Sequence, residues 1–217
     1  MISGFFVSCP VWLHNGRLMQ PVSGMIPFTF NDIEIGARLV EALARQAMRL
    51  SGMPITYGDL LTLARSLHSK DEVLGRAVPV GIGPKLQFVE SFCASHGFPN
   101  LACLAVNRET LRPAPGYQGD WEADKRAVAG FDWSAIDAHL AAYAAAMRAK
   151  VPARFKPRKE RPADVAWYAY FCSHRQACEK LTSEDKQEII NQMMAGLDPE
   201  TALARVLAAK HDFGSVA

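Results

Sequence analysis

Two pairs of side chains stand at spacings that suit a metal ion. Cys93-x₂-His96 and His174-x₃-Cys178 each place a sulfur and an imidazole about one helical turn apart. If their helices met, the four would supply a tetrahedral zinc site. The same residues also read as fold: Cys93 and Cys178 as small core residues, His96 as a cation at a helix C-terminus. Both readings stand at this point. Catalytic signatures are missing: there is no GxSxG elbow, no phosphate-binding GxxxxGK[ST] loop, no HExxH and no carboxylate cluster at metal-binding spacing. Gly81-Ile82-Gly83 is a lone GxG that lets a helix start turn tightly. The expectation is a protein that is not an enzyme, with no catalytic residues and no cofactor.

Polyanion chemistry has a better foothold. Residues 150–161 carry six basic side chains (Lys150, Arg154, Lys156, Arg158, Lys159, Arg161) against one acid, Glu160, a local +5 in a chain whose formal charge is +2. Flexible lysines and arginines release counterions when they neutralise phosphates, and Phe155 between Arg154 and Lys156 suits stacking on a base. The plainer reading is a solvated linker, since linkers are often charged.

These residues must be held by something. With 217 residues, 49% hydrophobic and 21% charged, the chain can build one comfortable domain plus an appendage, and fibrous or wholly disordered readings are excluded. The apolar N-terminus has no basic residue before Arg17, so no signal peptide is expected, and five scattered cysteines suit reduced cytoplasmic thiols. No membrane span is expected, because the Ala-rich stretch of residues 135–147 contains Asp137 and His139.

Residues 5–16 predict a β-hairpin around Asn15-Gly16. Helices are predicted over residues 32–50, capped by Asn31 with Glu34, then from the Thr56–Asp59 capping box through Leu67, over 73–78, and over 85–96, stopped by Gly97. Residues 101–106 predict a strand, 107–110 a turn, and 111–117 a proline-rich return arm. Helices follow over 121–129 and 134–150. The basic strap of residues 151–162 reads as a linker to three more helices, at 163–180, 183–195 and 199–209. In the last pair, Ile189, Ile190, Met193, Met194, Leu203, Val206 and Leu207 form an apolar face suited to a partner.

Three helices followed by a hairpin is the order of a winged helix. Within residues 54–117, Ile55-Thr56-Tyr57-Gly58 followed by Leu60-Leu61, then Arg76-Ala77-Val78, then residues 99–107 with Cys103 inside, resemble in order the "TYG…LA", "RAV" and "PCHRV" elements of the alkylguanine alkyltransferases and alkyltransferase-like proteins. The resemblance implies a winged-helix DNA-binding domain in which Tyr57 and Arg76 help to hold a nucleotide rotated out of the duplex. Leu104-Ala105 replaces the family's His-Arg after Cys103, so the group that would activate the thiolate is missing.

The expected architecture is therefore α+β, mainly α: a winged-helix-like domain with an N-terminal β-hairpin over residues 1–150, a basic linker over 151–162 and a small helical unit over 163–217. The expected function is non-enzymatic DNA binding in a bacterial style. Tyr57, Arg76, Lys85, Arg108, Arg112, Lys156, Arg158 and Lys159 would contact the nucleic acid, with Tyr117 as a further planar group. The alternative is a protein-interaction module, a subunit or inhibitor of a nucleoprotein complex. Repair by alkyl transfer to Cys103 comes third.

Overall fold

The structure, a computed structural model, describes residues 28–115, 117, 119–155 and 157–214, with side chains through Lys210. The expected N-terminal hairpin and Lys156 lie outside the described residues.

The first helix, α1 (Phe30–Leu50), is the axis of the larger lobe. Its cap is Thr29, not Asn31. The Thr29 hydroxyl accepts the Asp32 N–H at 3.2 Å while the Asp32 carboxylate accepts the Thr29 N–H at 3.0 Å, closing a reciprocal box. Asn31 is free to donate instead to the Asn191 carbonyl at 2.8 Å. The expected apolar stripe, Ile33, Ala37, Val40, Ala44 and Ala47, is buried, and so are Ile35, Leu39, Ala42 and Leu43 on other faces. A helix apolar most of the way round is one wrapped by neighbours. Here these are α2 (Tyr57–Leu67), α4 (Ile82–His96) and α6 (Ile136–Ala149). A Cβ on Gly36 would meet the Phe88 ring at 2.6 Å, so glycine at this position lets α1 and α4 approach closely.

Thr56 caps α2 as its spacing predicts, its hydroxyl accepting the Asp59 N–H. The short α3 (Glu72–Gly75) is capped by Asp71, and α4 ends at Gly97 in the left-handed region at φ 67°. Two corrections concern residues 101–117. Leu101–Leu104 is a 3₁₀ turn, and only Ala105–Val106 (β2) is extended. Its partner is β1 (Ile55–Thr56), paired parallel, and not a return arm. Pro113 and Pro115 remove ladder donors from that arm. Asn107 closes the chain into a tight loop: its N–H donates to the Arg112 carbonyl at 2.9 Å, and its side chain accepts the Glu109 N–H at 2.7 Å. Among the described residues there is no antiparallel wing.

Asp120 caps α5 (Trp121–Ala129). The second lobe is α7 (Glu160–Ser173), α8 (Ser183–Met194) and α9 (Pro199–Gly214), with a 3₁₀ turn at Arg175–Cys178. α7 starts three residues earlier than the sequence suggests, because Pro162 falls in its first turn, where a missing N–H costs nothing. Ile189, Ile190, Met193, Leu203 and Val206 are buried against Ala163 and Trp167 of α7, and Met194 packs beside them. The expected partner face is this lobe's own core, and of that set Leu207 is exposed. No helix among the described residues is long and apolar enough to cross a membrane.

Candidate nucleic-acid interface

Lys85 decides how the two lobes sit. It lies in the first turn of α4 on the same stripe as Ile82, Val89, Phe92 and Cys93, and it is 3% exposed. A lone buried ammonium is prohibitive, so partners must come to it. Glu188 of α8 does so at 2.7 Å and Asp32 of α1 at 3.4 Å. Arg205 of α9 then reaches the other Asp32 oxygen at 3.2 Å. The result is a buried seam of two cations and two carboxylates drawn from four helices. Asn191 extends it by donating to the Arg76 carbonyl at 2.9 Å, and Gln192 donates to Glu188 at 3.1 Å.

Burial alone would raise the Asp32 carboxyl, but Lys85, Arg205 and the Thr29 hydrogen bonds outweigh it and hold it below the ordinary range. Burial would likewise lower Lys85, and the facing Glu188 and Asp32 outweigh that and raise it. A Cβ on Gly81 would stand 2.1 Å from the Glu188 carboxyl carbon, so this glycine is what lets α8 seat against the start of α4.

The consequence corrects an expectation. The start of α4, which the winged-helix reading turns toward a DNA groove, is covered by the second lobe, and Lys85 is no surface cation. Tyr57 is also largely interior, 5% exposed, with burial pushing its phenol up to about 12 despite a hydrogen bond with the Ala114 backbone. Arg76 is half-buried. The Tyr117 hydroxyl, half-buried, donates to Asp124. Of these groups, Tyr57 is too deeply buried to stand out as a flipping wedge.

A groove of about 740 Å³ opens between the lobes, lined by Tyr57, Asp59, Arg108 and Glu109 from one side and Glu184, Asp185 and Lys210 from the other. Lys210 is committed to Asp185 at 2.6 Å. Carboxylates outnumber cations on this lining, which repels a phosphate backbone.

Apart from Arg108, which also lines this groove, exposed positive charge lies elsewhere. Arg108 and Arg112 are exposed on the Asn107 loop, Arg112 standing 5.7 Å over the Trp121 ring with Lys125 at 3.9 Å. Arg154, Arg158, Lys159 and Arg161 are exposed along the strap and the start of α7. Among the described residues none of these four makes a salt bridge. The strap is pinned to the second lobe by the Arg158 N–H, which donates to the Met194 carbonyl at 2.8 Å, and by Phe155, which packs against that lobe's core with Arg154 over its ring. Phe155 is thus an anchor, and its ring is not offered for stacking.

The thiol readings also resolve. Cys93 belongs to the first lobe's core and Cys178 to the second's, so the four expected metal ligands do not converge. No metal-holding group of His, Cys, Asp and Glu exists among the described residues. Cys103 is fully buried on its 3₁₀ turn, where burial pushes its thiol up to about 12. A thiol so held is a poor nucleophile and out of reach of an alkylated base.

Sequence reasoning missed Asp32, Glu188 and Arg205. The signal for them was present: a lysine in the middle of an apolar stripe needs buried carboxylates from another element. Comparison with protein-family models, curated proteins and solved structures finds no match.

Proposed function

We propose that this chain is a non-enzymatic, cytoplasmic nucleic-acid-binding protein whose phosphate-contacting surface is the strap and the start of α7. The observation that carries the reading is the row Arg154, Arg158, Lys159 and Arg161: exposed, without salt-bridge partners among the described residues, and fixed to a folded lobe. Most non-specific affinity for nucleic acid comes from phosphate neutralisation by such side chains, and pinning the strap lowers the ordering cost of each contact. The Asn107 loop, with Arg108 and Arg112, adds a second basic point. With the start of α4 covered at the Lys85 seam, this reading does not use a winged-helix contact. Anisotropy titration of a labelled oligonucleotide at low salt tests the reading. The triple change Arg158→Ala, Lys159→Ala and Arg161→Ala should weaken binding at least tenfold, and an unchanged affinity would refute it.

A second reading has its own observation. Met48, Leu50 and Met53 are each half or more exposed around the end of α1, next to exposed Arg45 and Arg49. Such exposed apolar side chains suit the protein-interaction reading. It predicts concentration-dependent association in sedimentation that Met53→Glu abolishes while oligonucleotide binding is unchanged.

A further inference from the structure

We infer that the outer face of α7 is a stacking site for single-stranded nucleic acid, centred on Tyr168; this rests on the nucleic-acid reading above and names its partner more closely. Positions 161, 165, 168 and 172 recur at four, three and four residues, so on a helix of 3.6 residues per turn they form one line. Ala163 and Trp167 are buried, and Tyr170 and Phe171 pack against the lobe's core from the opposite side. The line therefore points to solvent, and its large members are bare: Val165 is 61% exposed and Tyr168 is 67% exposed. Valine and tyrosine in sequence on one outward line are costly to leave wet unless something covers them.

Charge selects what covers them. Arg161 heads the line and follows Arg158 and Lys159. Of the nearby acids, Asp164 is engaged by Lys186 at 3.4 Å, which leaves Glu160. A cluster of exposed cations two helical turns from an exposed phenol ring suits a polyanion that carries flat apolar faces. Seven residues separate Arg161 from Tyr168, about 10 Å of helix, or about three nucleotide steps of stacked strand. A strand can thus lay phosphates on the arginines and one base on the ring, with Val165 against the sugar or the base edge. A duplex cannot use the ring, because its base faces are already covered by one another. It can reach only the cations.

The test uses the full chain with an oligothymidylate and a duplex of equal length, each titrated over a salt series. The single strand should bind more tightly. Tyr168→Ala should weaken it at least about fivefold, as expected for loss of one stacked base, with the salt slope and the duplex affinity unchanged. Tyr168→Trp should keep or raise the affinity. Arg161→Ala should instead flatten the salt slope for both ligands. Since Tyr168 is exposed, the alanine variant should melt as the wild type does. Equal affinity of Tyr168→Ala and wild type for the single strand would overturn the inference and leave the strap reading standing. Equal weakening of both ligands would overturn it too. Binding of neither ligand by wild type at low salt would overturn the nucleic-acid reading itself.

Discussion

At Lys85, one ammonium has left water to sit between two carboxylates, Asp32 and Glu188, supplied by two distant stretches of chain. Breaking such a pair from one side leaves a buried charge uncompensated. Lys85→Met should therefore cost about 3–5 kcal/mol in urea unfolding. Adding Glu188→Leu should recover part of that loss, a coupling of up to about 3 kcal/mol in a double-mutant cycle. Burial also sorts the thiols. Cys172 is exposed, whereas Cys93, Cys103 and Cys178 are buried. In a Cys9→Ser background, a disulfide reagent should therefore label Cys172 rapidly and the other three only as the protein unfolds. Rapid labelling of Cys103 would contradict its placement. Residue by residue, legibility followed environment. Trp133 is core as its type suggests, whereas Lys85 and Tyr57 carry types common at surfaces and sites, and only the fold reveals them as interior.

Elements were legible where local physics sets them. The Thr56–Asp59 box and the 3.6-residue stripes fix α2 and α8 within a residue or two, and the Gly97 stop fixes the end of α4, whose start at Ile82 lies three residues before the expected one. The misses lie where a distant partner decides. Residues 101–106 have strand-like composition, yet only Ala105–Val106 find a partner, because β1 is two residues long and the proline-bearing arm cannot donate. The Met193–Met194 face could be placed on a helix from its spacing, but not told apart from an external docking face without α7. The contact of α4 with α8 is also decided at this scale. Gly81→Ala would push a methyl into the Glu188 carboxyl, so it should destabilise the protein by about 1–3 kcal/mol. Gly83→Ala, with open space around its Cβ, should do little.

For the whole molecule, the seam makes the 151–162 strap something other than a tether between independent bodies. Charged groups from both lobes are buried against one another, and each lobe would expose unpaired charge if it left. Asp32 has a lowered pKa, so its contribution is full above its ordinary 3.8 and is lost as pH falls through the lowered value. Lys85 has a raised one, so its contribution is full below 10.5 and is lost as pH rises through the raised value. The seam should hold between about pH 5 and about pH 9. Thermal unfolding across that range should show one cooperative transition, splitting only at the acid and alkaline extremes. A pinned strap is also a shaped one, which is how a linker-like run of charge becomes a binding surface. The sequence displayed that charge openly, but not its fixation by the Arg158 N–H and Phe155, which depends on the end of α8 lying alongside.

The central claim is that this surface grips phosphates, and the salt dependence of oligonucleotide affinity measures it most directly. Three to four contacts from Arg154, Arg158, Lys159 and Arg161 predict that the logarithm of the association constant falls with the logarithm of salt at a slope of about −2 to −3 for a single strand. The triple alanine variant leaves Arg154 in place and should bring that slope to about −0.7. A wild-type slope already near zero, or no binding at low salt, would contradict the account.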